Sequence, residues 1–167
     1  MTIDQIPETR KTILIVDDDL DVRIYVRTLF ETSGYAPVVA RNGNEGLRKA
    51  KQISPDLIIL DVMMPEAGGV SMFRELKADQ ELKDIPVIML TGIGEKSFSH
   101  YLKMLNIKVK DPIPQPDAHM EKPLDHEKLL ELARKIIGYC SCQVSGANAA
   151  TGRFSGQRRR WHLKPVI

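Results

Sequence analysis

Five side chains in this sequence could act together on a charged group: Asp17, Asp18, Asp61, Thr91 and Lys122. Four stand just past a short, largely apolar run, 12–16 for the acidic pair, 57–60 for Asp61 and 86–90 for Thr91, and Lys122 follows a brief strand-like stretch at 118–121. Carboxylates brought together repel one another and rise in pKa unless a cation joins them, and a set of hard oxygen ligands favours Mg²⁺. A hydroxyl and an ammonium beside such an ion suit a phosphoryl group, whose equatorial oxygens need neutralising during transfer. Singly, each acid reads as a solvated turn or helix cap, Lys122 as an exposed lysine before a turn proline, and Thr91 as a cap. Only the set carries chemistry.

These residues meet if the runs that precede them are parallel strands of one sheet, because ligands of open α/β sheets bind at the carboxyl edge of the strands. The pattern predicts that sheet. Residues 12–16 are β-branched and apolar on both faces, as in a central strand covered on each side. Val22, Val26, Leu29 and Phe30 then recur at helical spacing up to Gly34. Residues 37–40 read as a second strand, Asn42 or Asn44 as a cap, and Leu47, Ala50 and Ile53 as a helical face. Gly68-Gly69 precedes a helix carrying Val70, Phe73 and Leu76, and Phe98, Leu102 and Leu105 mark the next one. Pro112, Pro114 and Pro116 interrupt any element before a brief strand at 118–121. A last helix runs from about Asp125 to Ile137 and stops at Gly138. Five strands alternating with five helices imply an α/β fold with a doubly wound parallel sheet.

The chain has 167 residues, enough for one domain with a real core, and is 43% hydrophobic and 28% charged, which disfavours wholesale disorder and fibrous architectures. No apolar stretch approaches a membrane span, and the first eleven residues lack the apolar core of a signal peptide, so a cytoplasmic location is expected. Residues 1–139 hold 19 basic and all 22 acidic residues, whereas 140–167 hold five basic and none acidic. The chain therefore divides into an N-terminal extension 1–11, a domain 12–139 and a basic tail 140–167 whose composition predicts disorder. Cys140 and Cys142 are too close together to staple a fold and lack zinc spacing, so reduced, unliganded thiols are expected. Arg158-Arg159-Arg160-Trp161-His162 sets charge beside an aromatic ring. With so few charges, a tail without a dedicated ligand is preferred to nucleic-acid or membrane contact.

The segments Ile-Leu-Ile-Val-Asp17-Asp18-Asp, Leu-Ile-Ile-Leu-Asp61-Val-Met-Met-Pro65, Met-Leu-Thr91-Gly and Glu-Lys122-Pro123, in this order, resemble the receiver domain of bacterial two-component response regulators, of the single-domain, chemotaxis type. The likeness spans residue 12 to about 138. It implies a flavodoxin-like strand order 2-1-3-4-5 and a signalling module, not an enzyme beyond its own phosphorylation and dephosphorylation. It also implies that Asp61 is the phosphoacceptor, charged by a sensor histidine kinase or a phosphotransfer protein. Asp18 and Asp61 would hold Mg²⁺ directly with the backbone carbonyl of Met63, Asp17 would act mainly through water, and Thr91 and Lys122 would contact the phosphoryl oxygens. The downstream target is left open. A rival reading is a Mg²⁺-dependent phosphatase of the haloacid-dehalogenase type, with its nucleophile among Asp17-Asp18-Asp19.

Two departures from that family pattern stand out. Thr91 and Lys122 lie 31 positions apart, an unusually long interval whose excess falls at 111–117, read as a tolerated surface insertion ahead of a partner contact. His119 occupies the position where receivers commonly carry a Tyr or Phe that changes rotamer. An ordinary, partly buried ring is preferred there to a charge-sensitive switch.

Overall fold

A computed structural model describes residues 10–65, 68–107 and 112–138. The first nine residues, Asp111 of the 111–117 segment, and the tail with its two cysteines and its Arg-Trp cluster lie outside the described residues.

Ten elements alternate along the chain: β1 (Thr12–Val16), α1 (Leu20–Thr32), β2 (Ala36–Ala40), α2 (Gly43–Ile53), β3 (Leu57–Asp61), α3 (Gly69–Ala78), β4 (Val87–Thr91), α4 (Glu95–Leu105), β5 (Ala118–Glu121) and α5 (His126–Ile137). The strands form one parallel sheet in the order β2-β1-β3-β4-β5, as expected. Alternation along the central strands explains the two-sided core. Leu14, Val16, Ile58, Leu60, Val87 and Met89 face α2, α3 and α4, where Ala50, Phe73 and Phe98 fill the space. Ile13, Ile15, Leu57, Ile59, Ile88 and Leu90 face the other way, against Val26 and Phe30 of α1 and Leu129 and Ala133 of α5.

Local sequence fixes where each helix starts and stops. Asp19 accepts the amides of Asp21 and Val22 ahead of α1, and Asp125 accepts those of Glu127 and Lys128 ahead of α5. Asn42, not Asn44, caps α2, while Glu45 reaches back to the amide of Arg41. After α1, Gly34 adopts a positive φ of 88° and turns the chain so that Tyr35 packs edge-on against Phe30, ring centroids 5.5 Å apart.

The opposite edge of the sheet, where the strands begin, is stitched by carboxylates. Asp56 accepts the amide of Thr12 at 2.8 Å and the ammonium of Lys11 at 2.9 Å. Asp117 accepts the amide of Val87 at 2.8 Å, with the Lys77 ammonium 4.0 Å away. Described residues 112–117 carry no regular structure, yet Ile113 is buried in the core. Asn106 at the end of α4 holds both the amide and the carbonyl of Ile113, at 2.8 and 2.9 Å. Those two bonds fasten residues 112–117 to the body of the domain at Ile113.

Candidate functional site

The carboxyl edge of the sheet brings the expected residues together. Pairing of Val16 with Leu60 in the β1–β3 ladder sets the ends of those strands level, so Asp17 and Asp61 emerge side by side. Both are buried, at 0% and 3% exposure, whereas Asp18 is exposed. Asp17, Asp18 and Asp61 each offer an oxygen within 4.8 Å of the others. The amide of Lys122 donates to the carbonyl of Thr91 at 2.8 Å, carrying the β4–β5 ladder one residue further and aiming the lysine across the edge. Its ammonium lies 2.9 Å from Asp17 Oδ2 and 3.2 Å from Asp61 Oδ2.

The remaining acceptor positions of these acids are met by backbone. Asp17 Oδ1 accepts the amide of Asp19 at 2.9 Å, and Asp61 Oδ1 accepts that of Met63 at 3.2 Å. Arg23, one turn into α1, donates to the carbonyl of Asp17 at 2.7 Å and adds positive charge beneath the acidic pair. Burial pushes the Asp17 carboxyl above its ordinary pKa against the hydrogen bond from Lys122, and the charge of Asp61 pushes the same way. For Lys122, burial alone would lower the pKa, but the hydrogen bonds and charges of Asp17 and then Asp61 outweigh it and hold the ammonium above its ordinary value.

Two buried carboxylates therefore share one ammonium, and a third carboxylate at the surface, Asp18, offers an oxygen within 4.8 Å of both. That excess of negative charge, carried by oxygen donors within reach of a single point, fits a hard divalent cation.

Thr91 reaches the same edge from β4 and is fully buried, but its hydroxyl is turned onto its own loop. It accepts the amide of Ile93 at 3.1 Å and donates to the carbonyl of Ile93 at 3.3 Å. Met63 is 64% exposed and stands at the mouth of the site. His119, opposite Met89 in the β4–β5 ladder, is half-buried, with its ring 5.9 Å from that of Phe98 on α4.

Sequence reasoning missed two supports. Arg23 gives no signal beyond its place one turn into α1. Gly69 was visible only as half of a Gly-Gly pair, yet a Cβ there would collide with the carbonyl oxygen of Asp61, so α3 starts in backbone contact with β3. Only glycine permits that approach.

Comparison with known proteins agrees with this geometry. The model of the response regulator receiver domain matches residues 13–134. The polar-differentiation response regulator DivK of Brucella anthropi is 32% identical over 129 residues, covering 77% of this chain and 97% of that protein, and DivK of Brucella ovis is 29% identical over 130 residues. Among solved structures, the chemotaxis response regulator CheY4 of Vibrio cholerae is similar at 26% identity with a TM-score of 0.66, over 77% of this chain and 99% of that one. The receiver domain of a sensor histidine kinase from Pseudomonas aeruginosa, described with a magnesium ion coordinated in its active-site cleft, shares the fold at 22% identity and a TM-score of 0.66, over 77% and 98% of the two chains.

The phosphatase alternative falls at this point. The family whose model matches residues 13–134 is not that of the haloacid dehalogenases. A match that opens inside β1 and closes inside α5 takes in every side chain that converges on this edge, and the chain accordingly belongs to the response regulator receiver domain family.

Proposed function

We propose that Asp61 accepts a phosphoryl group and that this phosphorylation switches a partner-binding surface. The convergence of Asp17 and Asp61 on the Lys122 ammonium, at a strand-end cleft, carries the reading. A carboxylate oxygen of Asp61 attacks phosphorus, the bond from phosphorus to the donor breaks with its electron pair leaving on the donor, and an aspartyl phosphate results. The donor is a phosphohistidine of a sensor histidine kinase or phosphotransfer protein, or a small acyl phosphate. Water later attacks the same phosphorus and restores the carboxylate.

Asp18 and Asp61, with the Met63 carbonyl and with Asp17 acting mainly through water, are the residues that would hold Mg²⁺, which when bound supplies positive charge to the phosphoryl oxygens. Lys122 stays beside the phosphoryl group as a second, fixed positive charge. The acceptor is a signalling residue that performs chemistry only on itself.

The new group adds about −1.5 to −2 of charge. Its oxygens compete for the Thr91 hydroxyl, which now bonds only within its own loop. Releasing that hydroxyl frees residues 92–94, which lead into α4, and so alters the face of α4, β5 and α5 offered to a downstream target. Domain limits of 12–139, with an extension before and a basic tail after, fit this assignment. So does a cytoplasmic location, and among the described residues no helix is long and apolar enough to cross a membrane.

Incubation with acetyl phosphate and Mg²⁺, resolved on a phosphate-affinity gel, tests the acceptor. A retarded, base-labile species is expected for the native chain and not for Asp61→Asn or a chelated control. Label that persists in Asp61→Asn overturns the assignment.

A further inference from the structure

Beside the phosphoryl site, α1 and the start of α5 leave an apolar face open. Ile24 and Tyr25 are 54% and 44% exposed, and with Leu29 and His126 they line a groove of about 540 Å³. Tyr25 and Asp21 also line a second hollow of about 350 Å³, which runs on to Lys122 and Pro123 at the edge of the site. The border is acidic: Asp18, Asp19 and Asp21 are exposed at the start of α1, and Asp125 is exposed ahead of α5. Of the nearby cations, Lys122 is bonded to Asp17 and Asp61, Arg23 donates to the carbonyl of Asp17, and Lys128 lies 3.6 Å from Asp125.

The chain carries a matching sequence. Residues 140–167 hold five basic and no acidic residues, and Trp161, the only tryptophan of the protein, follows three consecutive arginines and precedes His162-Leu163. An aromatic ring with an apolar body suits the groove floor, and guanidinium groups suit a carboxylate border. Length agrees as well. Trp161 stands 23 positions beyond Gly138, and a Gly/Ser-type chain of that length has a root-mean-square span of roughly 25–30 Å. Returning from the end of α5 to His126 at its start requires only about 17 Å, at 1.5 Å of rise per residue. The span is thus within reach, and the tether keeps the local concentration of the segment high.

We propose that residues 158–163 dock on the α1–α5 groove of the same molecule, with Trp161 against Ile24 and Tyr25 and the arginines against Asp19, Asp21 and Asp125. The docking does not rest on the reading of Asp61.

Trp161 reports on its own position. In the full chain, with red-edge excitation that bypasses the tyrosines, its emission is expected to be blue-shifted and several-fold less quenched by acrylamide than in the same chain unfolded in urea. Ile24→Glu and Tyr25→Glu, both at exposed positions and checked by far-ultraviolet circular dichroism, are expected to return both signals to the unfolded values. Quenching in the native chain equal to that in urea overturns the proposal. Protection that survives both groove substitutions places the ring elsewhere and also overturns it, and protection that disappears on dilution shows docking on a second copy instead. None of these readouts needs phosphorylation, so a failed gel assay at Asp61 and a failed docking test are separate results.

Discussion

The two edges of the sheet use the same residue type in opposite ways. Where the strands begin, Asp56 and Asp117 each accept a strand amide and lie near a lysine, so each charge has its own donors. Where the strands end, Asp17 and Asp61 face one another and share a single ammonium. The first arrangement fastens the sheet, and the second holds unbalanced charge in place. All four acids accept a backbone amide, so what separates the edges is whether a carboxylate has a cation to itself or shares one with a second carboxylate.

Removing the shared cation should break the contrast most sharply. Lys122→Met leaves two neighbouring buried carboxylates without their ammonium and is expected to lower unfolding free energy by about 2–3 kcal/mol, somewhat under the cost of breaking a fully buried pair because Lys122 retains some exposure. Urea denaturation measures the loss, and added Mg²⁺ should recover part of it by binding the native state. At the other edge, Asp56→Ala strands the amide of Thr12 and the ammonium of Lys11 and should cost about 1–2 kcal/mol, with no recovery by Mg²⁺. A Mg²⁺ response in that variant would erase the distinction between the edges.

Asp17→Asn should act in the opposite direction, raising stability near neutral pH, because burial holds the Asp17 carboxyl above its ordinary pKa. The folded pKa of Asp17 lies above the ordinary 3.8, so its favourable contribution is complete below that value and is lost as pH rises through the folded pKa. The native chain should therefore lose stability over that interval and the asparagine variant should not, as read from thermal midpoints across a pH series. The smallest effect is expected for Thr91→Val, which removes two hydroxyl bonds confined to one loop and should cost under about 1 kcal/mol. Amide exchange should quicken at Ile93, whose amide loses its acceptor, and stay unchanged in β1 and β3.

Much of this was legible in the sequence because burial and direction are written into it. The runs at 13–16 and 57–60 are apolar at every position, as strands covered on both faces must be, and each stops at an aspartate. That placed Asp17 and Asp61 at one edge before any coordinates. The partition of Lys122 between both acids was not legible, since it depends on the relative height of three strands. Nor was the clamp of Asn106 on Ile113, where three prolines suggested only an irregular excursion and concealed a buried isoleucine. Nothing in the sequence singles out Asp56 or Asp117, because a carboxylate that serves a strand thirty or more positions away leaves no periodic trace in its own neighbourhood. Asp117 serves Val87 in the same way.

Gly69 has a mechanical consequence. With its α-carbon seated against the carbonyl of Asp61, strand and helix touch bone to bone, with no side chain between them to act as a cushion. Any displacement of the Asp61 backbone meets the first turn of α3 with no rotatable side chain in between to absorb it.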